Sequence, residues 1–257
     1  DQMITLNLII LAASLAGLTF AVKTFRPQSV GVPIVGASML IAIGAFMDAG
    51  ANNLSRPEDF YLSQAIIGFA SIIFLAEAMA IGIARTLLAG GGSLIGFVVL
   101  FSLSQNLGGL AGTSLLGTFQ TVRQNFHSHE LVQQITLTDP LVAANIAAGA
   151  RSVSGVIGDT ALRGAEGVTL LAQQVAREAS ILAYNDVFLL ISILATLNVI
   201  WGIAIRRSMW RRGEVSPVVQ LQQLIQQRAA QMAKAQAEAE AQAKTGAGAD
   251  AKAGNGQ

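Results

Sequence analysis

The sequence predicts an all-α integral membrane protein with five transmembrane helices. Of its 257 residues, 53% are hydrophobic and only 12% are charged, whereas a soluble domain usually carries about 25% charged residues. No Asp, Glu, Lys or Arg stands between Arg85 and Arg123, and a helix needs about 20 apolar residues to cross a bilayer. The composition therefore excludes an ordinary soluble enzyme.

Five apolar segments account for the predicted spans, of which four fall in residues 1–119 and the last in 187–212. Their length and lack of charge separate them from buried helices of soluble proteins. Because the first segment follows Asp1 almost at once, without a signal-peptide pattern, we expect a preceding part to be missing or processed. The predicted spans are residues 3–22, 29–47, 62–84, 93–119 and 187–205.

Basic residues predict the orientation, because Lys and Arg collect in cytoplasmic loops. Lys23 and Arg26 flank the first connection, Arg85 begins the third, and four arginines follow the last span. All of them lie on one side if the N-terminus is outside and the C-terminus inside. The long 120–186 loop is then outside.

The 120–186 loop is predicted to be structured and to contain short helices. Thr138-Asp139-Pro140 is typical of a helix start and precedes a helix over 141–150; a second helix begins near Gly167. This loop either covers the outer mouth of a helix bundle or docks a partner. In the cytoplasmic tail, 213–257, good helix formers give way to a Gly/Ala-rich end that we expect to be disordered.

Glu77 is the only carboxylate well inside a predicted span. It lies eight positions before Arg85, which is about 12 Å of helix. Because burial favours the neutral carboxyl, Glu77 is a candidate for proton coupling; a structural carboxyl is the open alternative. The opposite face of this helix carries Gln64, a cavity-lining candidate, and the packing candidates Gly68 and Gly82.

The fourth predicted span has a polar stripe. This stripe either lines an aqueous cavity or bonds a neighbouring helix, while Gly108 and Gly112 permit close helix packing. The cavity-lining candidates on the stripe are Ser102, Gln105, Asn106 and Thr113.

Several chemistries lack the residues they need. The chain has no cysteine, and its two histidines, His127 and His129, have no carboxylate cluster beside them, so no metal site or cofactor is expected. The sequence offers no nucleophile–base pair that would indicate an enzyme. Its basic residues are too few to indicate nucleic-acid binding.

Three runs resemble the fourteen-span drug:proton antiporters of the major facilitator superfamily, of the Emr multidrug exporter type. The first, at 104–123, reads SQNLGGLAGTSLLGTFQTVR; the others are Leu137-Thr138-Asp139-Pro140 and Tyr184-Asn185-Asp186-Val187-Phe188. The resemblance covers about residues 1–212. It implies that the chain is the C-terminal portion, spans ten to fourteen, of a proton-coupled exporter of small amphipathic compounds in a bacterial inner membrane.

The resemblance also implies partners. These are membrane lipid, a missing N-terminal helix bundle, a periplasmic adaptor (membrane fusion) protein and an outer-membrane channel. The alternative function is a non-transporting membrane subunit or scaffold whose outer loop docks a partner.

Overall fold

The protein is all-α across the residues that its computed structural model describes, which are 2–26, 31–90, 92–136 and 139–253, with side chains described as far as 238. A 3₁₀ turn at Pro57–Phe60 leads into the third of seven α-helices in these ranges. The helices are α1 (Gln2–Thr24), α2 (Val32–Asp48), α3 (Tyr61–Leu88), α4 (Leu94–Gln134), α5 (Pro140–Ser152), α6 (Thr160–Arg211) and α7 (Pro217–Ala253).

Four of these elements are long and apolar enough to cross a membrane, which indicates a multi-pass membrane protein. The predicted second span corresponds to α2, a shorter apolar helix of 17 residues. At 1.5 Å per residue α2 is about 26 Å long, against about 30 Å for the hydrocarbon core. The predicted start of this span at Ser29 lies outside the described residues. The four long segments are Gln2–Thr24, Pro57–Leu88, Leu94–Gln134 and Thr160–Arg211.

The predicted loop 120–186 is largely helical and continuous with its flanking spans. The helix α4 runs on to Gln134, and α6 joins the predicted helix near Gly167 to the last span without a break at 187. Neither helix contains a proline. Polar residues do not by themselves end a helix, because solvent can surround their side chains. Loss of hydropathy therefore marks the end of an apolar stretch and not the end of a helix.

The predicted helix start at Asp139-Pro140 is confirmed. The Asp139 carboxylate accepts the backbone N–H of Leu141 at 2.8 Å, and α5 begins at Pro140. Leu137 and Thr138 of the same motif lie outside the described residues. In the tail, α7 continues to Ala253, beyond residue 246, where the sequence predicts disorder.

Helices α1, α2 and α3 form a bundle in which α2 is antiparallel to the other two. Gly17 packs against the backbone of Phe69, and a methyl group at position 17 would overlap the Phe69 carbonyl oxygen. Small and branched residues fill the centre of this bundle. The buried apolar cluster consists of Ala21, Ala37, Ala70 and Ile73.

Helix α6 packs on α2, and α4 and α5 pack on α6. The Ser192 hydroxyl donates to the backbone carbonyl of Ala42 at 2.9 Å, and the Asn185 amide donates to that of Ala51 at 2.7 Å. This packing brings the ends of α1, α3 and α6 and the start of α2 together. We call this end of the bundle, which holds Arg85 and Arg206, the arginine-rich end.

Candidate functional site

A cavity of about 500 Å³ lies between α2, α3, α4 and α6. Its polar side chains are Ser38 and Asn198. The buried Ser38 hydroxyl donates to the Ile34 carbonyl of its own helix at 2.9 Å, so the surface of the cavity is largely apolar. The lining residues are Ser38, Ile41, Phe74, Gly112, Leu115, Leu116, Leu190, Ile191, Leu194, Ala195 and Asn198.

Helix α4 turns an apolar face to this cavity and leaves its polar stripe exposed. Gly112, Leu115 and Leu116 line the cavity, whereas the predicted cavity residues of α4 do not. Asn106 and Thr113 donate to carbonyls of their own helix, at 2.9 and 3.0 Å. The exposed residues of the stripe are Ser102, Gln105, Asn106 and Thr113.

The third helix does not bring Gln64 to the cavity either. The Gln64 side-chain amide donates to the Asp48 carboxylate at 2.6 Å and ties the end of α2 to the start of α3. Asp48 is only 2% exposed, although its position at the end of an apolar segment favours a solvated cap. Its burial follows from this pairing, which supplies a hydrogen bond that water would otherwise supply.

The glycines predicted to allow packing divide into two pairs. A methyl group on Gly68 would lie 3.3 Å from the Ile10 carbonyl of α1, and one on Gly82 would overlap the Phe97 ring of α4. Gly108 and Gly112 face open space. Among the described residues, no atom packs closely against Gly108 or Gly112, so the close helix packing predicted at this pair is not observed.

Glu77 lies on the buried face of α3. The residue is 3% exposed, and its Oε2 atom has no hydrogen-bond partner among the residues described. Ala70, Ile73 and Ala84 share this face and are also buried, in line with their helical spacing. An apolar environment with an unsatisfied oxygen disfavours a permanent charge and suits a carboxyl that binds a proton.

The neighbouring helices define the depth of Glu77. Gly17 packs on Phe69, which is 52 positions further along the chain. The contact of Gly68 with Ile10 has an offset of 58, so in the parallel pair of α1 and α3 Glu77 lies level with residues 19–25, at the end of α1. Glu77 thus lies level with the last turns of α1. It is one turn from Phe74, which lines the cavity.

A charged cluster, which the sequence reasoning missed, joins α4 to α6 at the end opposite the arginine-rich end. The Arg123 guanidinium donates to the Asp186 carboxylate at 2.6 Å, and His127 Nε2 lies 2.7 Å from the same oxygen. Arg123 also stacks over the Phe126 ring, 4.8 Å from its centroid. We call Arg123, His127 and Asp186 the Asp186 cluster.

The Asp186 cluster favours the ionised carboxylate. Asp186 precedes the apolar stretch 187–205 and so lies outside the predicted span. Partial burial by itself would raise the pKa of Asp186, but hydrogen bonds from Arg123 and His127 and their positive charges outweigh burial and lower it. The sequence signal for this cluster was the position of two charged residues beside consecutive spans. Arg123 follows the fourth predicted span, and Asp186 precedes the fifth.

His129 stays apart from this cluster and contacts Gln133, with 3.0 Å between His129 Nε2 and the Gln133 amide. The candidate site therefore consists of an apolar cavity, a buried carboxyl one turn away on α3, and a charged cluster at one end.

Comparison with protein-family models, with curated proteins and with solved structures finds no match to this chain.

Proposed function

We propose that this protein is part of a proton-coupled exporter of small amphipathic compounds. The observation that carries the proposal is the cavity between α2, α3, α4 and α6. Its volume of about 500 Å³ falls within the range of roughly 300–1,000 Å³ that is typical of small-molecule sites. Leu and Ile side chains with the Phe74 ring suit the apolar body of a ligand, and Asn198 supplies a polar contact.

Glu77 is proposed as the proton-binding group. Its burial and unsatisfied Oε2 atom support this role, because a proton removes the cost of an isolated buried charge. Phe74 and Ile81 lie one helical turn to either side of it. Protonation of Glu77 would therefore act on the same segment of α3 that borders the cavity.

The proposed topology has five spans, with α2 as the short second span, the N-terminus outside and the C-terminus inside. The shared position of Arg85 and Arg206 at one end of the bundle supports it, because basic residues favour the cytoplasmic side. From the resemblance of the sequence we also propose a location in a bacterial inner membrane. The proposed partners are a second helix bundle, a periplasmic adaptor and an outer-membrane channel.

Proton coupling can be tested in proteoliposomes that contain this chain together with the proposed second helix bundle, under an imposed pH gradient. We expect Glu77→Gln to reduce the pH-driven transport of a fluorescent amphipathic cation to the level of protein-free vesicles, because glutamine cannot release a proton. Glu58→Gln is the matched control, since Glu58 is exposed and contacts Gln2 at the opposite end. Transport by Glu77→Gln equal to that of the wild type at every pH would refute the role of Glu77.

One feature favours the second candidate function, a membrane subunit that docks a partner. The layer formed by α5, the first part of α6 and the connection between them carries large apolar side chains in exposed positions, among them Leu141, Val156 and Leu162. Exposed apolar groups outside a membrane are typical of interaction surfaces. If purified protein bound the amphipathic cation with no saturable affinity, the docking function would be favoured over transport.

A further inference from the structure

A second concavity, a groove of about 430 Å³, opens at the arginine-rich end. It lies between the start of α2, the end of α3, the end of α6 and the start of α7. Only Asn198 belongs to both this groove and the cavity described above. The lining residues are Gly31, Ile34, Val35, Ile81, Arg85, Asn198, Trp201, Gly202, Ile205, Arg206, Met209, Trp210, Glu214, Ser216 and Pro217.

The charge of this groove is positive and incompletely compensated. Arg85 and Arg206 line it, and neither forms an ion pair with a carboxylate within the described part of the chain. Glu214 is the one carboxylate in the lining, and it lies 3.6 Å from Arg212. Two guanidinium groups thus remain available to an anion, and Arg suits phosphate because its donors form a planar fork.

Aromatic residues give the groove the character of a membrane boundary. The chain has two tryptophans, and both of them line the groove. Trp201 is 69% exposed and Trp210 is 82% exposed, so both rings are open to the surroundings. Tryptophan is enriched at the level of lipid headgroups, and basic pockets between transmembrane helices accommodate anionic headgroups.

We propose that this groove binds an anionic phospholipid, with the phosphate of the headgroup on Arg85 and Arg206. The aliphatic side chains Ile81 and Ile205 then border the upper part of an acyl chain. The site shares only Asn198 with the substrate cavity, and it does not depend on transport activity. Because it joins α3, α6 and α7, an occupied groove would hold the start of α7 against the bundle.

The two tryptophans provide a direct probe of the site. The purified protein in neutral detergent micelles is titrated with brominated phosphatidylglycerol or with brominated phosphatidylcholine, since bromine quenches tryptophan fluorescence on contact. We expect stronger quenching by the phosphatidylglycerol. Equal quenching by the two lipids would overturn the proposal.

The role of the arginines is tested with Arg85→Gln/Arg206→Gln. Each arginine near a membrane surface contributes about fivefold to the affinity for anionic lipid, so the double variant should lose most of the preference. Arg207→Gln/Arg211→Gln is the charge-matched control, because neither residue lines the groove, and it should retain the preference. An equal loss in both double variants would refute a specific site.

Two further measurements separate this proposal from its alternatives. Arg85→Lys/Arg206→Lys keeps the charge and should recover part of the preference, which distinguishes lost binding from misfolding. Inorganic phosphate at millimolar concentration should leave the quenching by brominated phosphatidylglycerol unchanged. If phosphate alone abolished the preference, the groove would be a site for free phosphate, and the lipid proposal would fail.

Discussion

The Asp186 carboxylate holds two helices together through side chains that are more than fifty positions away in the sequence. It joins α6 to Arg123 and His127 of α4, so the cluster fixes the rotation of α4 relative to α6. Partly exposed ion pairs of this kind contribute modestly, whereas a short charge-assisted hydrogen bond contributes more. The stability of the α4–α6 contact should therefore depend on Asp186.

We expect Asp186→Asn to lower the free energy of unfolding by about 1 kcal/mol. Thermal unfolding in detergent, followed by circular dichroism, measures the change. Glu130→Gln is the control, because Glu130 is exposed and lies 3.9 Å from His127. A loss with Glu130→Gln as large as that with Asp186→Asn would contradict the importance of the Asp186 contacts.

The same variant has a predicted dependence on pH. The pKa of Asp186 is lowered in the folded protein, so its stabilising effect is present above the unfolded value of about 3.9. It is lost as the pH falls through the lower folded pKa, because protonation removes the charge. The stability difference between wild type and Asp186→Asn should therefore shrink in strong acid.

At the scale of elements, helix α6 is the central support of the chain. It is 52 residues long, about 78 Å at 1.5 Å per residue, and it contacts α2, α4 and α5. Its crossing with α5 depends on two glycines, because Gly149 and Gly167 let the two backbones approach closely. Gly167 is thus a packing position inside a helix, whereas the sequence predicts a helix start near it.

We expect Gly167→Val to displace α5, because a side chain at position 167 would overlap the Ile146 carbonyl. Overpacking of this kind costs about 1–3 kcal/mol. Hydrogen exchange of the backbone amides that follow Pro140 in α5 should become faster. Gly164→Val is the matched control on the same helix, since Gly164 faces open space; equal acceleration in both variants would argue for a loss of helix propensity alone.

At the scale of the whole molecule, α4 is the least covered of the four long apolar helices in the described part of the chain. None of the residues in the most apolar window of α4 is buried, and its polar stripe faces away from the cavity. Polar side chains rarely face lipid, so we expect this stripe to meet another helix bundle when the protein functions. Under the proposed function, that contact would complete the substrate pathway.

The cavity leads to a prediction about ligand binding. We expect Ala195→Trp, which fills the space between α4 and α6, to weaken binding of an amphipathic cation about tenfold, or about 1.4 kcal/mol. Equilibrium binding of a fluorescent cation to purified protein measures the effect. Leu197→Trp is the control, because Leu197 is exposed and does not line the cavity. Unchanged affinity in Ala195→Trp would place the ligand elsewhere.

Local features of the sequence determined the helical membrane class, the cap at Asp139 and the face of α3 that Glu77 shares with Ala70 and Ile73. Composition, capping and helical periodicity depend on neighbouring residues only, so a single sequence contains them. The tertiary structure decided that Leu115, and not Gln105, lines the cavity, that Gln64 binds Asp48, and that Arg85 and Arg206 share a groove. These outcomes depend on the rotation and register of helices distant in the chain, which packing sets after the helices form.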